Sequence, residues 1–331
     1  MNAQLSPALQ GDTFLRALRT DVEDVVPNQW VILGAPSELT KLSRGGTSFG
    51  PTEIRRASLV FDFFARRQSR SSLTNIETGE THTYDPSQLV DVGDLVMGVD
   101  VNLNTRRISD AVAEIVKREA RPLMLGGDHY VTYPAVTGLA QESRSTGQMA
   151  YVHVDMHADM LDEVPEFGRL SCASPLRRLL EDGVLTPERT LIYGLDPLMS
   201  TEECELIRES GVQFVTNSTI EQLGVSETLT PAIERILDGA ESLYASIDID
   251  VLARTYAPGT GNAVGVSGIT PANLIDVAQA LSRLPLVGAD LVEVAPVWDP
   301  TGRTAGIAAS VLIELLWPTL FETPRQPAES D

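Results

Sequence analysis

The sequence predicts an α/β fold: a three-layer single domain whose eight-stranded, mainly parallel sheet is covered by helices on both faces. Three observations predict it. Short apolar runs alternate with helix-length amphipathic segments along nearly the whole chain, the pattern of a parallel sheet buried on both sides. The 331 residues are 43% hydrophobic, enough for one large core. Polar clusters of Asp, His and Gly directly follow several apolar runs, as ligand-binding residues do at the carboxyl ends of strands in open parallel sheets.

Residues 1–25 read as an N-terminal extension, residues 26–320 as the domain and residues 321–331 as a disordered tail. Trp30 to Gly34 is the first apolar run of strand length. Pro51 to Arg67 reads as a helix, opened by a proline whose fixed φ and missing N–H suit a first helical turn. Arg66 to Tyr84 is polar and rich in Ser and Thr, an irregular surface excursion. Leu89 to Val92 is the second strand, Arg106 to Glu119 a helix, and Pro122 to Leu125, Tyr151 to Asp155, Thr190 to Gly194 and Val212 to Val215 are further strands. Pro231 to Leu237, Pro271 to Leu284 and Thr304 to Leu316 are amphipathic helices; Ser242 to Asp248 and Val287 to Glu293 complete the strands. No internal repeat or low-complexity block is present.

Composition narrows the function classes. Twenty-five basic against 46 acidic residues give a net charge of −21, which repels nucleic acid and anionic membranes and favours a small cation or a metal as partner. The same total also fits an ordinary solvated surface. Two cysteines, Cys172 and Cys204, make no disulfide framework and read as buried thiols in a reducing compartment. Met1 to Gly11 lacks a signal-peptide pattern and no apolar run approaches the ~20 residues of a membrane span, so a cytoplasmic protein is expected.

Gly126-Gly127-Asp128-His129, Asp155-Met156-His157-Ala158-Asp159 and Asp248-Ile249-Asp250 each end a strand, and Glu293 ends another. Residues two apart on an extended segment share a face, so Asp155 converges with His157 and Asp248 with Asp250. Carboxylates packed that closely at the end of an apolar strand need a cation or a proton. The four acids Asp155, Asp159, Asp248 and Asp250 are balanced by two divalent ions, with neutral His129 and His157 completing the set. Oxygen and imidazole donors suit Mn²⁺ first and Ni²⁺, Co²⁺ or Fe²⁺ next, and the lack of thiolate ligands argues against structural zinc. Two of the four histidines fall in these clusters; His153, mid-strand, reads as a core or supporting histidine, and His82 as a surface one.

These residues resemble the ureohydrolases, the arginase and agmatinase family, and most closely its agmatinase branch, from about Trp30 to Leu316. The likeness rests on Gly-Gly-Asp-His at 126–129, Asp-Met-His-Ala-Asp at 155–159, and Ser-Ile-Asp-Ile-Asp at 246–250 with Ala-Pro-Gly-Thr-Gly at 257–261. Arg44-Gly-Gly-Thr-Ser-Phe-Gly-Pro51, Glu293-Val-Ala-Pro296 and Asp299-Pro-Thr-Gly302 support it. The resemblance implies an arginase-like fold and two divalent metals, His129 and Asp159 on one, His157 and Asp250 on the other, Asp155 and Asp248 bridging. It implies that Glu293 faces a guanidinium, that the loop from Gly259 to Val264 helps to position it, and that Asp250 or a metal-bound water relays a proton. The implied reaction is hydrolysis of a guanidine C–N bond by metal-activated hydroxide, releasing urea or a substituted urea and an amine. Agmatine, guanidinobutyrate, guanidine and alkylated guanidines are all candidate substrates, and a homo-oligomer, trimer or hexamer, is the implied assembly.

The match departs in three places. Phe167-Gly-Arg-Leu-Ser-Cys172 stands where many members place a loop histidine, Gly194-Leu195-Asp196 where a Gly-x-Arg step is common, and Ala253-Arg254 where an Asp-Pro follows the second acid pair. The altered loops motivate the rival reading, a noncatalytic or regulatory subunit that pairs with an active relative as a hetero-oligomer. A single-zinc deacetylase of related architecture is disfavoured because the chain has no adjacent histidines. A metal-independent binding module would leave the four strand-end acids uncompensated.

Overall fold

Nine strands make one sheet in which every neighbouring pair runs parallel. The computed structural model describes residues 12–67, 72–142, 148–262 and 267–322. In chain order the elements are β1 (Leu18–Arg19), β2 (Trp30–Ala35), α1 (Gly50–Arg67), β3 (Ser72–Thr74), β4 (Thr81–Tyr84), β5 (Leu89–Asp94), α2 (Val101–Lys117), β6 (Arg121–Gly126), α3 (Thr132–Glu142) and β7 (Met149–Val154). They continue with α4 (Pro175–Glu181), β8 (Thr190–Leu195), α5 (Thr201–Ser210), β9 (Gln213–Thr216), α6 (Asn217–Leu223), α7 (Val225–Leu237), β10 (Ser242–Asp248), α8 (Pro271–Leu281), β11 (Leu286–Val292), α9 (Arg303–Leu315), α10 (Trp317–Leu320) and β12 (Phe321–Glu322). The large sheet is ordered β1-β5-β2-β6-β11-β10-β7-β8-β9.

The expected eight strands are all present, each within two residues of its anticipated bounds. The ninth, β1, corrects the count. Its two residues are exposed and carry no apolar run, and they extend the sheet only by pairing Leu18 with Val90 of β5. The packed body also reaches beyond the expected domain bounds. Phe14 and Leu15 are fully buried ahead of residue 26, and Phe321 is buried against Trp317 and Tyr84 in what was expected to be tail. Residues 1–11 and 323–331 lie outside the described residues.

The polar stretch up to Tyr84 is more regular than anticipated. β3 and β4 form a hairpin that β12 joins as a small antiparallel sheet. Its turn is made by Asn75, whose side chain accepts from the backbone N–H groups of Glu77 and Thr78, so a polar run folds without apolar alternation. Helices α1, α8 and α9 match the expected ones, while α2 starts five residues before Arg106 and α7 six residues before Pro231. Helix α3 escaped the periodicity because Pro134 and Gly138 interrupt it.

Alternate residues of each strand feed two separate cores. Trp30 and Ile32 of β2, and Leu243, Ala245 and Ile247 of β10, pack with apolar residues of α1, α7, α8 and α9. Val31 and Leu33, and Tyr244, face the layer made by α2, α3, α4 and α5. Every residue of β2 is buried, as a strand covered on both faces must be. No described helix is long and apolar enough to cross a membrane.

Candidate metal centre

The neighbouring strands β6, β11, β10 and β7 carry at their carboxyl ends Asp128-His129, Glu293, Asp248-Ile249-Asp250 and Asp155 to Asp159. The loop after β2 closes over them from the side. Its approach depends on Gly127, where a Cβ would fall on the backbone of Ser37, whose carbonyl accepts the Asp128 N–H at 2.8 Å. Asp128 in turn accepts the Thr40 N–H at 3.1 Å. Asp159 and Glu293 have φ of 50° and 67°, a left-handed backbone that costs a non-glycine residue roughly 1 kcal/mol or more. The fold tolerates that strain at two residues singled out for chemistry.

All six expected ligands meet here. His129 Nδ1 lies 3.0 Å from Asp155 Oδ2, 3.0 Å from Asp159 Oδ2 and 3.1 Å from Asp248 Oδ2. Its tautomer follows from the other ring nitrogen. Ser246 donates its one hydroxyl proton to Asp290 Oδ1 at 2.7 Å, so it can only accept from His129 Nε2–H at 3.0 Å. In the neutral ring the Nδ1 lone pair then faces three carboxylate oxygens, an arrangement that a proton or a metal cation at its centre relieves. His129 Nδ1 and Asp155 Oδ2 are buried and have no hydrogen-bond partner, as ligand atoms would. Ser246→Ala removes the acceptor that fixes this tautomer and is expected to weaken metal affinity about 10–100-fold. Titration against a chelator buffer measures it; an unchanged affinity would mean that Ser246 does not set the ring.

A second group overlaps the first through Asp155. His157 Nδ1 lies 3.3 Å from Asp155 Oδ1 and 3.4 Å from Asp250 Oδ2, and these three residues can offer one ligand atom each within 4.8 Å of one another. Asn262 Nδ2 sits 2.9 Å from His157 Nε2. A half-turn of that amide presents Oδ1 to an Nε2–H and frees Nδ1 as a ligand. Both bridging candidates also shape their own loops: Asp155 Oδ1 accepts the His157 N–H, and Asp248 Oδ1 the Asp250 N–H, each at 2.7 Å.

The electrostatics are those of a site awaiting positive charge. Burial, then Asp250 and Asp155, hold the Asp248 carboxyl well above its ordinary range. Against the desolvation of their pocket, Asp159 and its neighbours hold the His129 imidazole well above its usual pKa, and Asp250 and Asp155 do the same for His157. Asp155 goes the other way, since three imidazoles outweigh its burial and keep it ionised.

Behind the centre runs a buried polar ladder that the strand alternation explains. Tyr151 and His153 of β7, with Asp155 just past its end, lie beside Tyr244, Ser246 and Asp248 of β10, with Tyr151 opposite Tyr244 and His153 opposite Ser246. His153 stacks on His129 with ring centroids 4.7 Å apart and places Nε2 3.1 Å from Asp155 Oδ2. Tyr244 donates to Asp290 Oδ2 at 2.8 Å. Asp290 and Ser246 were missed from sequence; the signal was an acid in the middle of an otherwise apolar strand. His82 sits on β4 in the small sheet, edge-on to Trp317.

The cavity in front has a volume of about 200 Å³ and is lined by Lys41, His129, His157, Asp250 and Glu293 among others. Glu293 accepts the His129 N–H on Oε1 at 3.0 Å and pairs through Oε2 with Lys41. Cys172, the last residue of the segment that stands where the resemblance leads one to expect a histidine-containing loop, lines the same cavity; burial pushes its thiol up, so it stays protonated. Asp196 accepts from Ser267 Oγ at 2.5 Å. Gly259 to Asn262 border the site, while Ala263 and Val264 lie outside the described residues.

A parallel α/β sheet that gathers two overlapping His and Asp groups at its strand ends has the form of a metal-binding α/β protein. Residues 28–317 match the Arginase family, and the chain belongs to that family. It is 32% identical over 290 residues to a guanidinopropionase of Pseudomonas aeruginosa, covering 86% of this chain and 85% of that protein. It is equally 32% identical to a mitochondrial agmatinase of Gallus gallus, covering 86% and 79%. Among solved structures, the proclavaminate amidino hydrolase of Streptomyces clavuligerus superposes with a TM-score of 0.77 at 27% identity, covering 93% of this chain and 96% of that one. The chain is accordingly a hydrolase acting on linear amidines, and its fold implies a binuclear divalent metal centre.

Proposed function

We propose that the protein hydrolyses a guanidine compound to urea, or a substituted urea, and an amine, as an agmatinase-like enzyme with two Mn²⁺ ions, or Ni²⁺, as cofactor. His129 and Asp159 would hold one ion, His157 and Asp250 the other, and Asp155 and Asp248 would reach both. The observation that carries this reading is the His129 Nδ1 lone pair set among three carboxylate oxygens at 3.0, 3.0 and 3.1 Å. When bound, such a pair supplies a nucleophile at neutral pH by lowering the pKa of water from 15.7 toward ~7.

The chain's own residues supply the rest. Glu293 presents a buried carboxylate to one edge of the planar guanidinium, whose paired N–H groups match it in geometry and charge. Its anchor on the His129 N–H fixes where the guanidinium carbon sits relative to the acids. Addition of water to that carbon leaves an amine that departs only with a proton, and Asp250 Oδ1, buried without a hydrogen-bond partner, is placed to take and return one. A homo-oligomer belongs to the same reading.

The test is urea release from agmatine, 4-guanidinobutyrate, 3-guanidinopropionate, methylguanidine and guanidine after loading with Mn²⁺ or Ni²⁺. At least one compound is expected to give stoichiometric urea and amine. No urea from any of them with either metal would overturn the assignment.

A further inference from the structure

Lys41 is the feature of the cavity that guanidinium binding alone does not explain. It comes from the loop after β2, is only 9% exposed, and its ammonium rests on Glu293 Oε2, the carboxylate proposed to receive the guanidinium. A guanidinium docking on Glu293 has to compete with that ammonium for Oε2, because Oε1 already accepts the His129 N–H. The crowding is built in, because a Cβ at Gly261 would collide with both the Lys41 side chain and Glu293, so the glycine leaves room for the pair. Although burial pulls the lysine's pKa down, the neighbouring Glu293 carboxylate more than offsets it and keeps the ammonium charged.

The charges around the cavity sharpen the point. Two divalent ions balance Asp155, Asp159, Asp248 and Asp250, and Lys41 balances Glu293. The remaining acid among the described lining residues, Glu203, is engaged in capping α5, its Oε2 accepting from Ser200 N and Oγ. A purely cationic substrate docking on Glu293 would strand the displaced ammonium in a buried place. A substrate carrying its own carboxylate avoids this, since the guanidinium takes Glu293 and the carboxylate takes Lys41.

We infer that Lys41 is a specificity-determining residue that exchanges Glu293 for a substrate carboxylate, so that the enzyme selects short ω-guanidino carboxylic acids over alkylguanidines and aminoalkylguanidines. This rests on the guanidine-hydrolase reading of the same site.

The experiment compares the metal-loaded enzyme with Lys41→Met and Lys41→Arg on 3-guanidinopropionate and on propylguanidine, which has the same chain without the carboxylate. The wild type is expected to prefer the acid by at least about tenfold in kcat/KM. Lys41→Met should lower kcat/KM for the acid by about 100-fold and raise it for propylguanidine, because Glu293 is then free; these opposite signs cannot come from misfolding. Lys41→Arg should retain part of the preference. Calorimetry gives a readout independent of turnover: 3-ureidopropionate, which keeps the carboxylate but presents an unreactive urea, should bind wild type at least about tenfold more tightly than Lys41→Met. Equal changes for both substrates, or urea from propylguanidine or agmatine but not from the acid, would overturn this inference and leave the hydrolase reading standing. No urea from any guanidine would overturn both.

Discussion

Replacing Asp248 with alanine is expected to lower kcat/KM at least about 10⁴-fold, or some 5.5 kcal/mol of transition-state stabilisation, and to leave less than a full metal pair bound. Asp248 Oδ2 is one of the three oxygens around His129 Nδ1, and its Oδ1 holds the turn that carries Asp250. Alanine thus removes a ligand to both proposed ions and loosens a third. Asp155→Ala should behave alike, since Asp155 faces His129, His153 and His157 at once. Glu293→Ala should cost less, about 10²–10³-fold, because the carboxylate touches substrate rather than metal. Elemental analysis beside steady-state kinetics separates the cases; equal, small losses in all three variants would contradict the bridging assignment.

Stripping the metals should abolish turnover and make stability depend on pH in a definite direction. His129 and His157 have raised pKa values in the folded, metal-free chain, so the stability they contribute is fully present below about pH 6.5 and is lost as pH climbs through the folded values. Asp248 is raised too, and a carboxyl forced to ionise where burial resists it adds a penalty of the same sign as pH rises. Each tenfold loss of proton affinity is about 1.4 kcal/mol, and a domain of this size shifts its midpoint by roughly 1–2 °C per kcal/mol. The chelated protein should therefore melt several degrees lower at pH 9 than at pH 6. Restored Mn²⁺ at ~1,000 times its Kd adds about 4 kcal/mol and should reverse that trend, because ligands must be deprotonated to bind. Scanning calorimetry of both forms tests this, and a metal-free midpoint that rises between those pH values would refute it.

Much of this architecture was readable because buried parallel strands are continuous apolar runs, and Trp30 to Gly34 or Ser242 to Asp248 cannot be mistaken for surface. The ligand clusters were readable for the same reason, each acid or histidine standing where such a run stops. What escaped was whatever depends on pairing across the sheet. Tyr151-x-His153-x-Asp155 and Tyr244-x-Ser246-x-Asp248 are parallel ladders only once β7 lies beside β10 in register. Asp290 gains its meaning from Ser246 opposite it on β10. Lys41 left no local trace at all, since its partner is 252 residues away and only the turn at Gly127 brings its loop across. Strand β1 and the small sheet were hidden by brevity and polarity, where turn chemistry rather than apolar alternation decides the structure.

The position of β11 has a consequence for how the molecule comes into being. It is the last strand of the large sheet to be synthesised, yet it lies in the middle, between β6 and β10. A ribosome-bound chain that ends before Leu286 has two unzipped sheet edges where its centre should be, along with the His129 and Asp248 halves of the metal centre and no wedge between them. Contacts of such long sequence separation form slowly. The join between His129 and the acids after β7 and β10 is thus expected to close late in folding, with the arrival of the strand that also delivers Glu293.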